Sequence, residues 1–365
     1  MRVVKRNKLK VQQVKVKGTY DYNVQYIESL YSIVFSDTKL DNFFLSKAWI
    51  IQWLEQLDKK PELITFHEKD QLLGFVFIGY TDSFFGLKAY LNQSGLKQFD
   101  QVWIEYNDII CANGADICRN KLLDFLSTKR AIFQLHVSNT MHHDWKNKSW
   151  KNWSSEQVEA YETDLSVEDI TQHFSKNTKR QINRSNTFIH KEIGELKVTW
   201  LTKQSFADEM DCFGNYHVEQ WGEHEYGSGF NNKNFVDFHT NLLIDGLGEY
   251  VHLVKFEIGD ATLGYLHFFT LYKRVYFYLS SINYLNDNNK FKPGLVMHKI
   301  AMQHFKTLGY KYYDFLAGDA QYKASLSSNN YCLYNHILYS NKNRNIPLKL
   351  ITILKRQFKK RFSAR

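Results

Sequence analysis

Two stretches of this chain, 190 positions apart, read as the same unit. From Asp70 the sequence is DQLLGFVFIGYTDSFFGLKAYLN, and from Asp260 it is DATLGYLHFFTLYKRVYFYLSSIN. Each opens on a turn, reaches Gly74 or Gly264, and continues as two aromatic-rich runs around a short second turn. Runs of Phe, Tyr and Val bounded by turn residues predict β-hairpins. A helix-period segment follows each hairpin, over 115–127 and 295–308, and a further strand follows each helix, over 131–138 and 311–317. Helices are also expected before the hairpins, over 46–58 in the first half and over 167–186, 204–219 and 233–243 in the second. The prediction is an α/β (α+β) chain. Residues 1–150 and 151–340 form two tandem units, each a mixed, mostly antiparallel sheet flanked by helices, and 341–365 form a basic tail.

Charge separates the ends from the body. Residues 1–17 and 341–365 hold sixteen of the 47 Lys and Arg residues and none of the 38 acidic ones. The body is therefore net acidic although the chain carries +9. A nucleic-acid enzyme usually spreads its basic surface over the folded domain, so this pattern argues against nucleic acid as partner. In 347–362, Leu350, Ile351, Leu354, Phe358 and Phe362 fall near one helical face, and Lys and Arg occupy much of the rest. Such a segment either docks on its own domain or lies on an anionic membrane surface. No apolar run approaches the roughly 20 residues of a spanning helix. Cys111, Cys118, Cys212 and Cys332 form no CxxC pair, so zinc spacing is absent. The expectation is a cytoplasmic protein without a metal, with a peripheral place at the inner face of the membrane if the tail binds lipid.

The stretch from Phe291 to Ser327 carries Pro293–Gly294 before a helix, then Asp314–Phe315, Gly318 and Tyr322–Lys323 after it. Upstream lie Asn42, Phe43, Trp49 and Trp53, then Ser175, Arg180 and Arg184, then His217 and Trp221. In this order the motifs resemble the GNAT acyltransferase superfamily, and within it the CelD/BcsL-like acetyltransferases associated with exopolysaccharide synthesis. The resemblance implies a splayed sheet that holds acetyl-CoA as acyl donor. The acceptor would be a sugar or lipid-linked glycan. The usual superfamily phosphate loop has two glycines where this chain has one.

The residues themselves suggest roles beside that resemblance. The first N–H groups of a helix starting at Pro293–Gly294 are unpaired and carry the positive dipole end, which suits a diphosphate. Lys292, Pro293, Gly294 and Leu295 are thus the candidate donor site. Asp319 is either a helix cap or a base that orients the acceptor, and Tyr322 either packs its ring or donates to the departing thiolate. His217 can take a proton near neutrality. Four residues on, Trp221 can stack on a sugar or simply pack. Arg180 and Arg184 lie on one helix face, either solvated or facing an acidic acceptor. Asp314 and Lys323 complete the candidate substrate-binding set. Trp145, Trp150 and Trp153 are expected at the junction of the halves, there to pack them together or to stack on a sugar chain. Cell-wall peptide-bridge transferases, which take an aminoacyl group from tRNA, share a two-unit layout and remain an alternative. So does a non-catalytic protein that binds glycan or a partner.

Overall fold

The computed structural model describes residues 14–340 except 130, 224–226 and 286–287. The basic segment 1–13 and the tail 341–365, including 347–362, lie outside the described residues, as does the side chain of Trp153. Among the described residues no helix is long and apolar enough to cross a membrane.

The first half contributes β1 (Val14–Thr19), α1 (Val24–Val34), α2 (Lys47–Glu55), β2 (Glu62–Glu68), β3 (Gln71–Ser83), β4 (Gly86–Leu91), α3 (Lys97–Asp100), β5 (Ile110–Cys111), α4 (Ala115–Thr128) and β6 (Ile132–Thr140). A long strand, β7 (Trp150–Asp164), leads into the second half. There follow α5 (Lys176–Phe188), β8 (Leu196–Trp200), α6 (Ala207–Trp221), α7 (Lys233–Gly246), β9 (Val251–Ile258), β10 (Ala261–Leu271) and β11 (Arg274–Ile282). The chain ends with α8 (Pro293–Thr307), β12 (Tyr312–Ala317), α9 (Gln321–Leu326) and β13 (Asn329–Ser340).

All the strands join one sheet, in the order β1-β2-β3-β4-β6-β13-β7-β12-β11-β10-β9-β8, with β5 pairing β3. The order is mirrored about the β13–β7 pair. On the left β4 runs parallel to β6, and on the right β11 runs parallel to β12. The last strand returns to pair with β6 of the first half, while β7 pairs with β12 of the second. The mixed α/β architecture, with a large sheet flanked by helices, is the one the repeated hairpins predict. The repeat extends to two glycines. A Cβ on Gly74 would sit 2.6 Å from Cys111 Cβ, and one on Gly264 would sit 2.2 Å from the Ser281 carbonyl. In both hairpins a neighbouring strand passes too close for any side chain.

Local signals explain most helix boundaries. Ser46 caps α2 through the Trp49 N–H, and Ser175 caps α5 through the Thr178 N–H. The expected helix over 167–186 is therefore split. A 3₁₀ turn at Ile170–His173 precedes Ser175, which starts a separate helix. One face of the sheet packs against α1, α2, α6 and α7, where Trp49 of α2, Phe238 of α7, Phe43 of the turn before α2 and Phe269 of β10 form a core shared by both halves. The other face is covered by α4 on the left and by α5 and α8 on the right. Trp145 and Trp150 belong to the core under α4, and the Trp150 indole donates to the Leu123 carbonyl at 2.8 Å. They are buried there with Leu338 of the second half, and Trp150 lies opposite Ser340 across the β13–β7 pair, so they pack where the halves join and face no cleft.

The halves meet at Asp314, at the end of the β11–β12 pairing. Its side chain is fully buried. Tyr331 donates to it at 2.6 Å, Arg274 at 3.1 Å and the Leu316 N–H at 2.9 Å, and Tyr106 of the first half also donates to it. Arg274 also pairs with Glu162 of β7 at 2.5 Å. Burial raises the Asp314 carboxyl above its ordinary value even though the Arg274 guanidinium opposes the shift. Removing one partner of a buried pair strands the other charge, at a cost of about 3–5 kcal/mol. Arg274→Met is expected to lower unfolding stability by that amount, as read from urea denaturation.

Candidate functional site

The parallel strands β11 and β12 are hydrogen-bonded only over Arg274–Tyr276 and Tyr312–Asp314. Beyond that point β11 runs on to Ile282 while β12 ends at Ala317, so the sheet opens. A cleft of about 500 Å³ lies beside the opening. Its walls are α5 (Ser175, Asn177, Gln181), the last turn of α6 (Gln220, Trp221), Ser280 and Ile282 of β11, the first turns of α8, and α9 (Gln321, Tyr322, Ser325).

The floor at α8 follows from its sequence. Pro293 occupies the first turn and no side chain caps the helix. The Lys292 N–H is taken by Ser185 Oγ at 2.9 Å. The next N–H groups, at Gly294 and Leu295, belong to the uncapped first turn of a helix 15 residues long. They present the positive end of its dipole. A Cβ on Gly294 would meet only the Ile282 Cδ1 atom, at 2.9 Å. Lys292, Pro293, Gly294 and Leu295 all line the cleft, as do Tyr322 and Trp221. The Tyr322 ring stacks on His298 with centroids 5.5 Å apart, and His298 is fixed by Tyr313 at 2.7 Å. Burial raises the Tyr322 hydroxyl above its ordinary value.

The other candidates stand elsewhere. His217 is buried behind Trp221, with Nδ1 2.8 Å from Ser228 Oγ and its ring packed on Phe230. Asp319 is exposed at the turn before α9 and accepts from Tyr161 at 3.1 Å. Asp314 is closed off by its four donors and does not line the cleft, so it is not open to a substrate. Lys323 points back into the fold and donates to the Ala317 carbonyl at 2.6 Å. Arg180 and Arg184 lie on the outer side of α5. There, with Lys191 and Lys290, they edge a separate open depression of about 790 Å³.

Sequence reasoning missed Glu105. This first-half carboxylate is buried beside Lys323 and accepts the Ala317 N–H. Desolvation raises the Glu105 carboxyl and lowers the Lys323 ammonium. Together the two side chains clamp both backbone groups of Ala317, where β12 ends and the turn to α9 begins. Nothing near Glu105 in the sequence marks it, because its partners are more than 200 positions away. The first half has a counterpart cleft of about 540 Å³ at the start of α4, lined by Asn113–Ala115, Asp41, His142, Asp108 and Arg274. Its parallel pair is more fully zipped, from Leu87–Ile132 through Tyr90–His136.

Residues 172–324 match the family model described as an acetyltransferase (GNAT) domain. The chain carries a GNAT-type acyltransferase domain. No curated protein matches the sequence. Among solved structures, FemX aligns at 8% identity and a TM-score of 0.56, covering 91% of this chain and all of the other. A protein of unknown function from Bacteroides thetaiotaomicron VPI-5482 aligns at 12% identity and 0.55, covering 90% and 100%. L-PGS from Bacillus licheniformis aligns at 9% identity and 0.50, covering 90% and 96%. At such identities the likeness is one of fold, and it extends over both halves of the chain.

Burial pushes the His217 imidazole down to about 4. In the unfolded chain it returns to about 6.5, so unfolded molecules bind the proton first as pH falls. The associated stability is complete above pH 6.5 and is lost as pH drops toward 4. His217→Gln is expected to flatten the pH dependence of the urea midpoint across that window. An unchanged slope would assign the acid sensitivity to other groups.

Proposed function

We propose that the protein is an acyl-CoA-dependent N- or O-acyltransferase that moves an acetyl group to a sugar of a cell-surface polysaccharide precursor. The observation that carries this reading is the cleft itself. It joins an uncapped, positively polarised helix start at Gly294 to the gap where β11 and β12 part. A diphosphate fits the first, and a pantetheine-like arm fits the second.

The reaction needs alignment more than covalent help from the protein, and holding both reactants in place is worth several kcal/mol. The acceptor nitrogen or oxygen attacks the thioester carbonyl carbon, the carbon–sulfur bond breaks, and the thiolate leaves. In our reading Tyr322 donates its hydroxyl proton to that thiolate, from a position set by His298. On the same reading Asp319, exposed on the turn before α9, orients the acceptor and takes its proton. His217 supports Trp221, which offers its half-exposed ring to the acceptor. Arg180 and Arg184, with Lys191 and Lys290, would hold the phosphate or carboxylate of an acidic or lipid-linked acceptor. The first half would be a non-catalytic copy, since Gly114 opens its counterpart helix without the basic residue that Lys292 supplies before Pro293–Gly294. Its contribution is the loop that delivers Glu105 and Tyr106.

Calorimetry with acetyl-CoA tests the donor. The wild type is expected to bind. Gly294→Glu, which puts a carboxylate on the diphosphate seat, is expected to weaken binding at least about tenfold. A titration without heat for the wild type would sink the CoA reading in favour of an aminoacyl-tRNA donor. Once the acceptor is in hand, Tyr322→Phe is expected to lower kcat by about 10²–10⁴ while leaving donor affinity unchanged.

A further inference from the structure

Positive charge beside α8 extends past the cleft at Gly294. On the outer side of α5, Arg180, Arg184 and Phe188 recur every four residues and so share one stripe. The helix then runs into a π-helical turn over Ile189–Ile193, and Lys191 of that turn lines the same depression. Lys290, on the segment between β11 and α8, faces the stripe from across the depression. Among the described residues the lining carries four cationic side chains against one acid, Glu192, in a body that is net acidic. It also presents one aromatic ring, Phe188, which packs on Phe291 at 6.2 Å.

The depression and the cleft adjoin. Arg184 donates to the Asn289 carbonyl at 3.2 Å, and the Lys292 N–H donates to Ser185 Oγ at 2.9 Å. The segment from Asn289 to Lys292 is therefore fastened along α5, with Lys290 lining the depression and Lys292 lining the cleft. From Lys290 to Gly294 the backbone spans at most about 14 Å. Arg180 stands at the other end of the stripe. It donates at 2.8 Å to Asn177, which lines the cleft from the α5 side.

We infer that Arg184 and Lys290 hold the 3′-phosphate of the CoA nucleotide whose diphosphate sits at Gly294, and that Phe188 offers its ring to the base. Resting on the CoA reading above, this assignment moves Arg184 and Lys290 from the acceptor to the donor. Arg180, tied to Asn177 at the cleft, stays with the acceptor. Charge, span and ring select this occupant. A phosphate monoester carries about −1.5 to −2 charge at neutral pH and takes a guanidinium and an ammonium together. In CoA the 3′-phosphate and the diphosphate hang on one ribose, so their seats must be neighbours, as these are. A base stacks on an aromatic face, and basic side chains beside that face track the phosphates.

Calorimetry of the full chain with CoA and with 3′-dephospho-CoA tests it. The two ligands share the diphosphate and the pantetheine arm and differ by one phosphate. The wild type is expected to bind CoA at least about tenfold more tightly, and the difference should shrink at high salt. Arg184→Gln with Lys290→Gln is expected to remove that preference while leaving the affinity for 3′-dephospho-CoA unchanged. Lys290→Gln alone, at an exposed side chain, is expected to reduce the preference without moving the melting temperature. Equal affinity of the wild type for both ligands would overturn the assignment and leave the CoA reading standing. A preference that survives the double substitution would overturn it too. Heat from neither ligand would sink the CoA reading, and this assignment with it.

Discussion

The charge of Asp314, buried at the seam of the sheet, organises the molecule. A carboxylate with no exposure must be met by donors, and here they come from four directions. Arg274 lies on the adjacent strand and Tyr331 on the returning terminal strand. Tyr106 belongs to a loop of the first half, and Leu316 is two residues along. The β11–β12 ladder ends at this cluster. Past it the strands diverge, and the cleft opens where the sheet can no longer close. The same interaction thus joins the halves and marks where the cleft begins.

The two halves show what the gap requires. Each has a parallel pair connected by a helix that starts at a glycine-containing turn, and each has a cleft at that turn. On the left the pair stays zipped to Tyr90 and His136, which stack at 4.7 Å. On the right it opens after three residues. Both copies keep a cleft, and the first half lends its loop to the second, where Glu105 and Lys323 grip Ala317 from either side. A clamp built from two buried, oppositely shifted groups holds the turn before α9, and with it the stretch that carries Tyr322.

Much of the site was legible because its signals are local. Pro293–Gly294 announces a helix start, and a helix start is an anion seat wherever it occurs. Tyr322 and Trp221 reach the same cleft because short motifs place them at the ends of elements. Asp314, by contrast, looked like a ligand because it sits in a motif, and it proved to be a buried junction. Ser175 split a helix expected to be continuous, a local cap overriding a longer periodicity. Trp145 and Trp150 are close in sequence to the boundary between halves, and they pack under α4 beside Leu338 of the returning last strand.

The sequence by itself determined the hairpins, most of the helices, the repeat that pairs them and the polarised start of α8. Each of these depends on residues a few positions apart, whose periodicity and turn chemistry need no distant partner. Only the tertiary structure decided that the last strand returns to the first half, that Asp314 gathers donors from both, and that Glu105 reaches Ala317. Those outcomes rest on contacts more than 150 positions apart. Which distant groups satisfy a buried charge is set by how the strands are ordered, and a linear pattern of residue types does not contain that order.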